Sequence, residues 1–187
     1  GKAWVLDPVG LGIGSLRTKL IGELKPYKPT IVRGNASEII ALASLWELLD
    51  AEDALDRPRG VDTTDGVDAA REAAVALARY TGGAVVVSGE VDLVTDGTTV
   101  VRSHGGSELM SKITGCGCSQ GGVLAVYATC ADAFTAAVAG TAHYNLAGTR
   151  AAAVADAPAS FKVAFIDELY RATGEEIAAN PMCVEEA

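Results

Sequence analysis

Segments of strand and helix character alternate along most of the chain, and this alternation limits the possible folds more than any other feature. Trp4 to Leu6, Thr30 to Val32 and Ala84 to Val87 are short apolar runs typical of buried strands. Between the second and third run, Ala36 to Leu49 has the broad apolar face of a helix. Asp96-Gly97 separates two further strand-like runs and predicts a hairpin. The pattern predicts an α/β domain with a largely parallel sheet.

Length and charge narrow the classes of protein to consider. The 187 residues suit one domain spanning 1–187, and the net charge of -9 argues against a nucleic-acid partner, because DNA and RNA require a basic surface. No apolar run reaches the ~20 residues that span a bilayer, and nothing resembles a signal peptide, so we expect a cytoplasmic protein without a membrane partner. The chain opens inside a strand pattern, so we expect an upstream segment to be missing. We expect 50–66 to be a surface loop and the acidic tail from Gly174 to be loose.

Polar side chains stand at the ends of the predicted strands, where open α/β sheets bind their ligands. Asp7 ends the first strand and Ser88 ends the third, while Arg33 and Glu38 flank the turn after the second. Arg33 offers phosphate oxygens a planar, permanent charge, with a surface salt bridge as the alternative. Asp7 and Glu38 are oxygen donors suited to Mg²⁺, usually through water. A turn and a helix start are their alternative roles.

A Gly-rich stretch, Thr114-Gly115-Cys116-Gly117-Cys118, precedes a long helical pattern of small residues. Glycines let the backbone approach a ligand closely, and the helix start directs free N–H groups at an anion. Gly115, Cys116 and Gly117 are therefore candidates for an anion hole that stabilises a transferred phosphoryl group, with an ordinary helix-entry turn as the alternative. Cys118 is either a thiolate base for a substrate hydroxyl or a small buried side chain.

Two other motifs indicate different chemistry, and both are weak. Cys116 and Cys118 form a Cys-x-Cys pair, but no second close pair follows, which argues against structural zinc. The stretch from Gly10 to Gly14 follows a strand, as a dinucleotide-binding fingerprint would. Ser15 occupies the place of its last glycine, and the next helix pattern is short. We interpret this stretch as a flexible turn.

Four short blocks of sequence are more specific in combination than any one of them is alone. They run from Val5 to Gly10, from Ile31 to Glu38, from Ser88 to Asp92 and from Thr114 to Cys118. In this order they closely resemble the hydroxyethylthiazole kinase family, and the similarity extends to about Leu169. The resemblance implies a three-layer ribokinase-like fold with helices on both faces of the sheet. It also implies ATP-dependent phosphorylation of 4-methyl-5-(2-hydroxyethyl)thiazole in thiamine biosynthesis or salvage.

The resemblance further implies an assembly and roles for individual residues. Family members form homotrimers with active sites between subunits, and the family's N-terminal third has no counterpart in this chain. By position, Arg33 and Ser88 would contact ATP, and Gly115 would contact the thiazole. Asp7 and Glu38 would serve the Mg²⁺ region.

Cys118 stands where other ribokinase-like enzymes carry an aspartate base and thiazole kinases carry cysteine. A kinase of the hydroxymethylpyrimidine type is one alternative, although it would be expected to keep the aspartate. A truncated, non-catalytic nucleotide-binding relic is another, suggested by the missing N-terminal segment. Ser88 in place of the usual threonine and Cys116 in place of alanine or threonine depart from the family pattern, and 50–60 is longer and more acidic than usual.

Overall fold

The computed structural model describes residues 1–11, 13–49 and 63–187, without the side chains of 63–65. Of the predicted surface loop over 50–66, residues 50–62 lie outside the described residues, and the prediction is wrong for 63–66, which begin the helix Thr63–Ala69. Six strands of the described chain form one sheet, in sequence order across it: β1 (Val5–Leu6), β2 (Ile31–Asn35), β3 (Ala84–Ser88), β4 (Asp92–Thr95), β5 (Thr99–Ser103) and β6 (Met182–Glu186).

The helices of the described chain alternate with the first strands and then follow one another. They are α1 (Ser15–Glu23), α2 (Ala36–Leu45), α3 (Thr63–Ala69), α4 (Arg71–Thr81), α5 (Cys116–Tyr127), α6 (Ala133–Val154), α7 (Pro158–Arg171) and α8 (Gly174–Ala178). Local chemistry sets the start of α2, because the Asn35 side chain accepts from the Glu38 N–H and the Glu38 carboxylate accepts from the Asn35 N–H. None of the described helices is long and apolar enough to cross a membrane.

The sheet is mixed: the parallel arrangement predicted from the alternation of strands and helices holds for its first three strands, and the other pairings are antiparallel. β1 pairs with β2 and β2 with β3 in parallel, whereas the pairings of β3 with β4, β4 with β5 and β5 with β6 are antiparallel. Parallel neighbours need a long crossover, which α1 and the α2–α4 segment provide, while the short links after β3 and β4 permit only hairpins. The hairpin predicted at Asp96-Gly97 is confirmed, with Gly97 at φ 94.

Apolar residues cover both faces of the sheet, and this confirms the three-layer architecture. In β2, Val32 belongs to the core under α2 and α4, whereas its neighbour Ile31 belongs to the core under α5 and α6. Both side chains are completely buried. Buried alanines such as Ala136 and Ala137 line α6, and small side chains allow a helix to lie close to the sheet.

The prediction of a loose tail from Gly174 is wrong. The tail forms α8 and then β6, which completes the sheet by pairing with β5. Its acidic side chains meet basic partners from distant parts of the chain: Glu176 Oε1 lies 2.6 Å from Arg150 Nη2, and Glu185 Oε1 lies 2.9 Å from Arg102 Nε. These pairings depend on tertiary structure, so the acidic composition of the tail alone could not reveal them.

Candidate active site

The polar residues predicted at the strand ends lie together at one edge of the sheet. Asp7 follows β1, Arg33 lies near the end of β2, and Ser88 is the last residue of β3. Since these three strands are parallel neighbours, their carboxyl ends lie side by side. The first turn of α5, which begins after Gly115, covers this edge.

Arg33 is the centre of this group, which we call the Arg33 cluster: Arg33, Asp7, Ser88 and Gln120. The Arg33 Nε donates to Gln120 Oε1 at 2.9 Å, and Nη2 donates to Ser88 Oγ at 2.8 Å. Nη1 lies 3.5 Å from Asp7 Oδ2. Arg33 is only 8% exposed. The surface salt bridge considered for Arg33 is therefore wrong, because its guanidinium is held inside the protein, mainly by neutral groups.

The partners of Arg33 leave part of its bonding capacity free. Arginine carries five N–H donors, and three of them have the partners just described, so one on Nη1 and one on Nη2 have no partner among the described residues. Its one carboxylate partner, Asp7, is at the long limit of a hydrogen bond. Arg33 thus combines a buried positive charge with two donors for an added anion.

Asp7 is the acidic member of the cluster and is poorly satisfied. Its burial raises the pKa of the carboxyl, Arg33 opposes this by favouring the charged form, and the nearby Glu38 carboxylate raises the pKa again. The net shift is upward. Within the described part of the chain, Asp7 Oδ1 is buried without a hydrogen-bond partner. A carboxylate oxygen without a hydrogen-bond partner, close enough to Glu38 to feel its charge, suits a hard cation.

Glu38 is the second carboxylate at this edge, and its oxygens also hold the backbone in place. Oε1 accepts from the Gly10 N–H at 3.2 Å, and Oε2 accepts from the Asn35 N–H at 2.9 Å. Among the described residues, no group of three or more His, Cys, Asp or Glu could hold a metal ion. Asp7 and Glu38 therefore fit Mg²⁺ only with water and phosphate oxygens completing its shell, as is usual for this ion.

The Gly-rich stretch forms the N-terminus of α5, as predicted. Gly115 is the N-cap with φ 85, a conformation that favours glycine. The Cys116 N–H donates to Ile113 O at 3.2 Å, and the Ser119 N–H donates to Gly115 O at 2.9 Å. The backbone N–H groups between these two bonds, those of Gly117 and Cys118, precede the first helical hydrogen bond. Of the three residues expected to form an anion hole, Cys116 thus has its N–H already engaged.

Gly117 connects the helix start to the Arg33 cluster. A Cβ atom on Gly117 would lie 3.0 Å from Arg33 Nη2 and 3.2 Å from Nη1. The guanidinium therefore lies directly against the backbone of this residue, in space that any side chain would occupy. The free donors of Arg33 and of the helix start are thus neighbours.

The two cysteines of the stretch occupy opposite environments. Cys116 is buried, with its Sγ 3.6 Å from the hydroxyl of Tyr144, and burial raises the pKa of its thiol. Cys118 is exposed, and no hydrogen bond of its thiol to another described residue is formed. The alternative of a small buried side chain is therefore wrong for Cys118 and describes Cys116.

Gln120 and Asp92 belong to this edge although the sequence analysis gave neither a role. Gln120 is 87 positions from Arg33, and nothing in its helical surroundings indicates the contact. Asp92 is buried, and its Oδ1 accepts from the Gly89 N–H at 2.8 Å. Burial raises the pKa of Asp92 to about 6, although Gly89, Asn145 and Arg33 favour its charged form. Asp92 could have been identified from the sequence, because it is an acidic residue at the start of an otherwise largely apolar strand.

Comparisons with known proteins agree on one family. The model of the hydroxyethylthiazole kinase family matches residues 1–175. The hydroxyethylthiazole kinase of Bifidobacterium animalis subsp. lactis is 48% identical over 97% of this chain and 63% of its own length. That of Bifidobacterium adolescentis is 49% identical over 96% of this chain and 64% of its own length.

A solved structure extends the agreement to three dimensions. The hydroxyethylthiazole kinase protein of Pyrococcus horikoshii is 28% identical and matches 99% of this chain and 65% of its own chain, with a TM-score of 0.80. The match confirms the ribokinase-like fold. The chain spans slightly less than two thirds of the length of these relatives. With the family model covering most of its residues, the chain belongs to the hydroxyethylthiazole kinase family.

Proposed function

We propose that the protein containing this chain transfers the γ-phosphoryl group of ATP to the hydroxyl of 4-methyl-5-(2-hydroxyethyl)thiazole, a step of thiamine biosynthesis or salvage. Family membership supports this reaction class. The observation that carries the proposal is the buried guanidinium of Arg33, which lies against the start of α5 with two donors free. A buried positive charge with free N–H donors suits a phosphate group, whereas an uncharged ligand would leave the charge unpaired.

Phosphate binding is the role of Arg33, Ser88 and the helix start. The free N–H groups on Nη1 and Nη2 of Arg33 hydrogen-bond ATP phosphate oxygens, and charge assistance makes these bonds strong. The Ser88 hydroxyl accepts from Arg33 and donates to Gly34 O at 3.3 Å, and it contacts ATP by turning this proton to a phosphate oxygen. The backbone N–H groups of Gly115, Gly117 and Cys118 stabilise the charge that develops on the transferred group. In this proposal Cys116 acts through its backbone position alone.

Asp7 and Glu38 hold Mg²⁺, mainly through water, at the same edge of the sheet. The buried, unpartnered Oδ1 of Asp7 supports this assignment. When bound, the ion neutralises part of the negative charge on the phosphate oxygens. Without a cation, the mutual repulsion of the two carboxylates contributes to the raised pKa of Asp7.

The acceptor hydroxyl is activated by Cys118, and Gly115 contacts the thiazole that carries it. The hydroxyl oxygen forms a bond to the γ-phosphorus while the bond from phosphorus to the ADP oxygen breaks. The hydroxyl proton passes to the Cys118 thiolate. Exposure of Cys118 on the first turn of α5 supports this role, because a base must be reachable by the substrate.

The test is steady-state turnover of ATP by the full-length protein with two acceptors. The thiazole alcohol should be phosphorylated, and the hydroxymethylpyrimidine alcohol should be a poor substrate in a parallel reaction. Formation of the thiazole monophosphate should be followed together with ADP, so that simple ATP hydrolysis is recognised. No phosphorylated thiazole at any ATP concentration would refute the proposal. Preference for the pyrimidine alcohol would indicate a kinase of the hydroxymethylpyrimidine type instead.

The assembly and the location complete the proposal. We expect a cytoplasmic homotrimer with active sites between subunits, and partners limited to ATP and the thiazole. The trimer is what the family resemblance implies. Sedimentation equilibrium of the full-length protein should give three times the mass of the monomer. A monomer that is fully active would remove the subunit interface from the proposed site.

A further inference from the structure

Gln120 is a buried polar residue in α5, two positions after the Gly-rich stretch. It is 2% exposed, although glutamine side chains are mostly found at protein surfaces. Its Oε1 accepts the hydrogen bond of Arg33 Nε at 2.9 Å. Burying an amide is costly unless it is hydrogen-bonded, so a purely apolar side chain would serve packing better at this position. The contact with Arg33 is therefore a specific feature of the Arg33 cluster.

The contact fixes the orientation of the guanidinium. Ser88 holds Nη2 at 2.8 Å from one side, while Gln120 holds Nε from the helix that carries the Gly-rich stretch. Together with Asp7 Oδ2 at 3.5 Å from Nη1, these contacts reach all three nitrogens and so define the plane of the rigid guanidinium. That plane lies against Gly117, within 3.2 Å of the space a Cβ atom would take. Loss of the Gln120 contact leaves Nε without its acceptor and frees the guanidinium to turn.

The chemical identity of the anchor matters as much as its position. An amide oxygen accepts a hydrogen bond and adds no charge, so the attraction of Arg33 for a phosphate is preserved. A carboxylate at the same place would hold Nε more strongly, but it would neutralise the charge and repel an anion. Gln120 thus combines a firm anchor with an undiminished positive charge.

We propose that Gln120 is a positioning residue for phosphate binding, one that holds the Arg33 guanidinium against Gly117 without neutralising it. This inference rests on the proposed ATP-dependent function. It adds a residue that touches neither substrate nor phosphate and acts through Arg33. Gln120 also couples β2 to α5, so the strand end and the helix start present their donors to the same anion.

The experiment compares Gln120→Met, Gln120→Glu and the control Leu124→Met in the full-length protein. Leu124 is buried in the same helix, one turn beyond Gln120, and packs in the apolar core. Gln120→Met should raise the dissociation constant and the KM for ATP about tenfold, as expected for a lost hydrogen bond to a charged group, with a much smaller change in kcat. Gln120→Glu should raise both constants at least as much, and Leu124→Met should leave both unchanged.

A double-mutant cycle separates positioning from structural support. In an Arg33→Ala background, Gln120→Met should have no further effect on ATP affinity, because the group that Gln120 holds is gone. An equal loss of affinity in both backgrounds would overturn the inference, and so would a Gln120→Glu protein that binds ATP like the wild type. Thermal unfolding of each variant identifies a folding defect, and Gln120→Glu, which keeps a polar side chain, carries the test if Gln120→Met does not fold.

Two readouts distinguish failure of this inference from failure of the proposed function. ATP affinity is measured by titration without an acceptor, and phosphorylation is measured with the thiazole alcohol. Normal turnover by the wild type with unchanged ATP affinity in Gln120→Met refutes the positioning role alone. ATP binding that depends on Gln120 without any phosphorylation of the thiazole refutes the proposed substrate alone. A wild-type protein that does not bind ATP refutes both.

Discussion

Two arginine clusters lie on the same sheet. In one the arginine charge is left largely unpaired, and in the other it is neutralised by carboxylates. At the end of β2, Arg33 is buried and has one carboxylate partner at 3.5 Å, together with two neutral acceptors. On β5, Arg102 pairs with Asp68 and has Glu185 at 2.9 Å. Glu185 in turn lies 3.0 Å from Arg71. We call this second group, Arg102 with Asp68, Glu185 and Arg71, the Arg102 cluster.

The difference shows how the choice of partners decides what an arginine can do. Burial alone would lower the pKa of Arg102, but its hydrogen bonds and attraction to Asp68 and Glu185 outweigh burial and raise it. Its charge is thus balanced by two carboxylates of the same chain, and Arg102 links α3, β5 and β6. Arg33 keeps both charge and donors because its strongest partners are neutral. We therefore expect the Arg33 cluster to control ATP binding and turnover, and the Arg102 cluster to contribute to stability alone.

The largest effect is expected next to the Arg33 cluster, at the proposed base. Cys118→Ala should lower kcat by about 10²–10⁴-fold with the thiazole alcohol, because a general base is lost, while the affinity for ATP stays near that of the wild type. Steady-state kinetics and ATP titration measure the two effects. Cys130→Ala is the control, since Cys130 is also exposed but lies in the turn after α5. An unchanged kcat would remove Cys118 from the base role.

Asp92 offers a measure of the charge that Arg33 retains. Its pKa is raised from 3.8 to about 6 in the folded protein, so the folded state binds the proton more tightly than the unfolded state. The free energy of unfolding should therefore fall as the pH rises from about 4 to 6, by about 3 kcal/mol in total for this group, and remain lower above that range. Asp92→Asn should lack this loss and gain stability relative to the wild type over the same range.

Urea unfolding of the wild type and of Asp92→Asn between pH 4 and pH 8 measures the difference in their free energies of unfolding. The titration of the other carboxyl groups largely cancels in this difference. Arg33→Ala should move the Asp92 transition to higher pH, because Arg33 favours the charged carboxylate. Arg102→Ala is the matched control and should not move it. If the difference in free energy of unfolding between wild type and Asp92→Asn did not change with pH, burial would not raise the pKa of Asp92.

Direct exchange of the two arginines for alanine tests the comparison itself. Arg33→Ala should weaken ATP binding by about 2 kcal/mol, or about 30-fold, since charge-assisted hydrogen bonds are lost. Arg102→Ala should leave ATP affinity unchanged and lower the free energy of unfolding by about 1 kcal/mol or less, because its ion pairs are partly exposed. ATP titration and urea unfolding supply the two measurements. Equal losses of ATP affinity in both variants would abolish the distinction.

The smallest expected effect concerns the approach of Gly117 to Arg33. Gly117→Ala should weaken ATP binding about tenfold, because the new Cβ would lie 3.0 Å from Arg33 Nη2 and displace the guanidinium. Gly122→Ala in the same helix is the control, since its Cβ meets nothing within 4 Å. That substitution should stabilise the protein by about 1 kcal/mol through helix propensity and leave ATP affinity unchanged. Normal ATP binding by Gly117→Ala would show that the guanidinium has room to move.

Much of the active-site edge followed from short-range patterns. Apolar runs marked β1, β2 and β3, and parallel strands end at the same edge, so Asp7, Arg33 and Ser88 had to come together. The start of α5 at Gly115 was likewise readable, because glycine at a helix entry is a local signal. The four-block resemblance added the family, which the comparisons support.

What sequence reasoning missed involves contacts between distant positions. The antiparallel half of the sheet extends to β6, whose acidic composition suggested a loose tail until its pairing with β5 was known. Cys116 and Cys118 differ by two positions, and only the packing against Tyr144 decides that the first is buried. Gln120 gave no signal, since a glutamine among small helical residues looks like any surface position.

The sequence by itself determined the α/β class, the parallel strand ends and the family, because these depend on hydrophobic periodicity and on residues close together in the chain. Tertiary structure alone decided which partner each charge would have. Arg33 keeps its charge available because Gln120 and Ser88, 87 and 55 positions away, approach it with neutral oxygens. Burial then strengthens this choice, since a charge removed from water interacts strongly with whatever the fold places beside it.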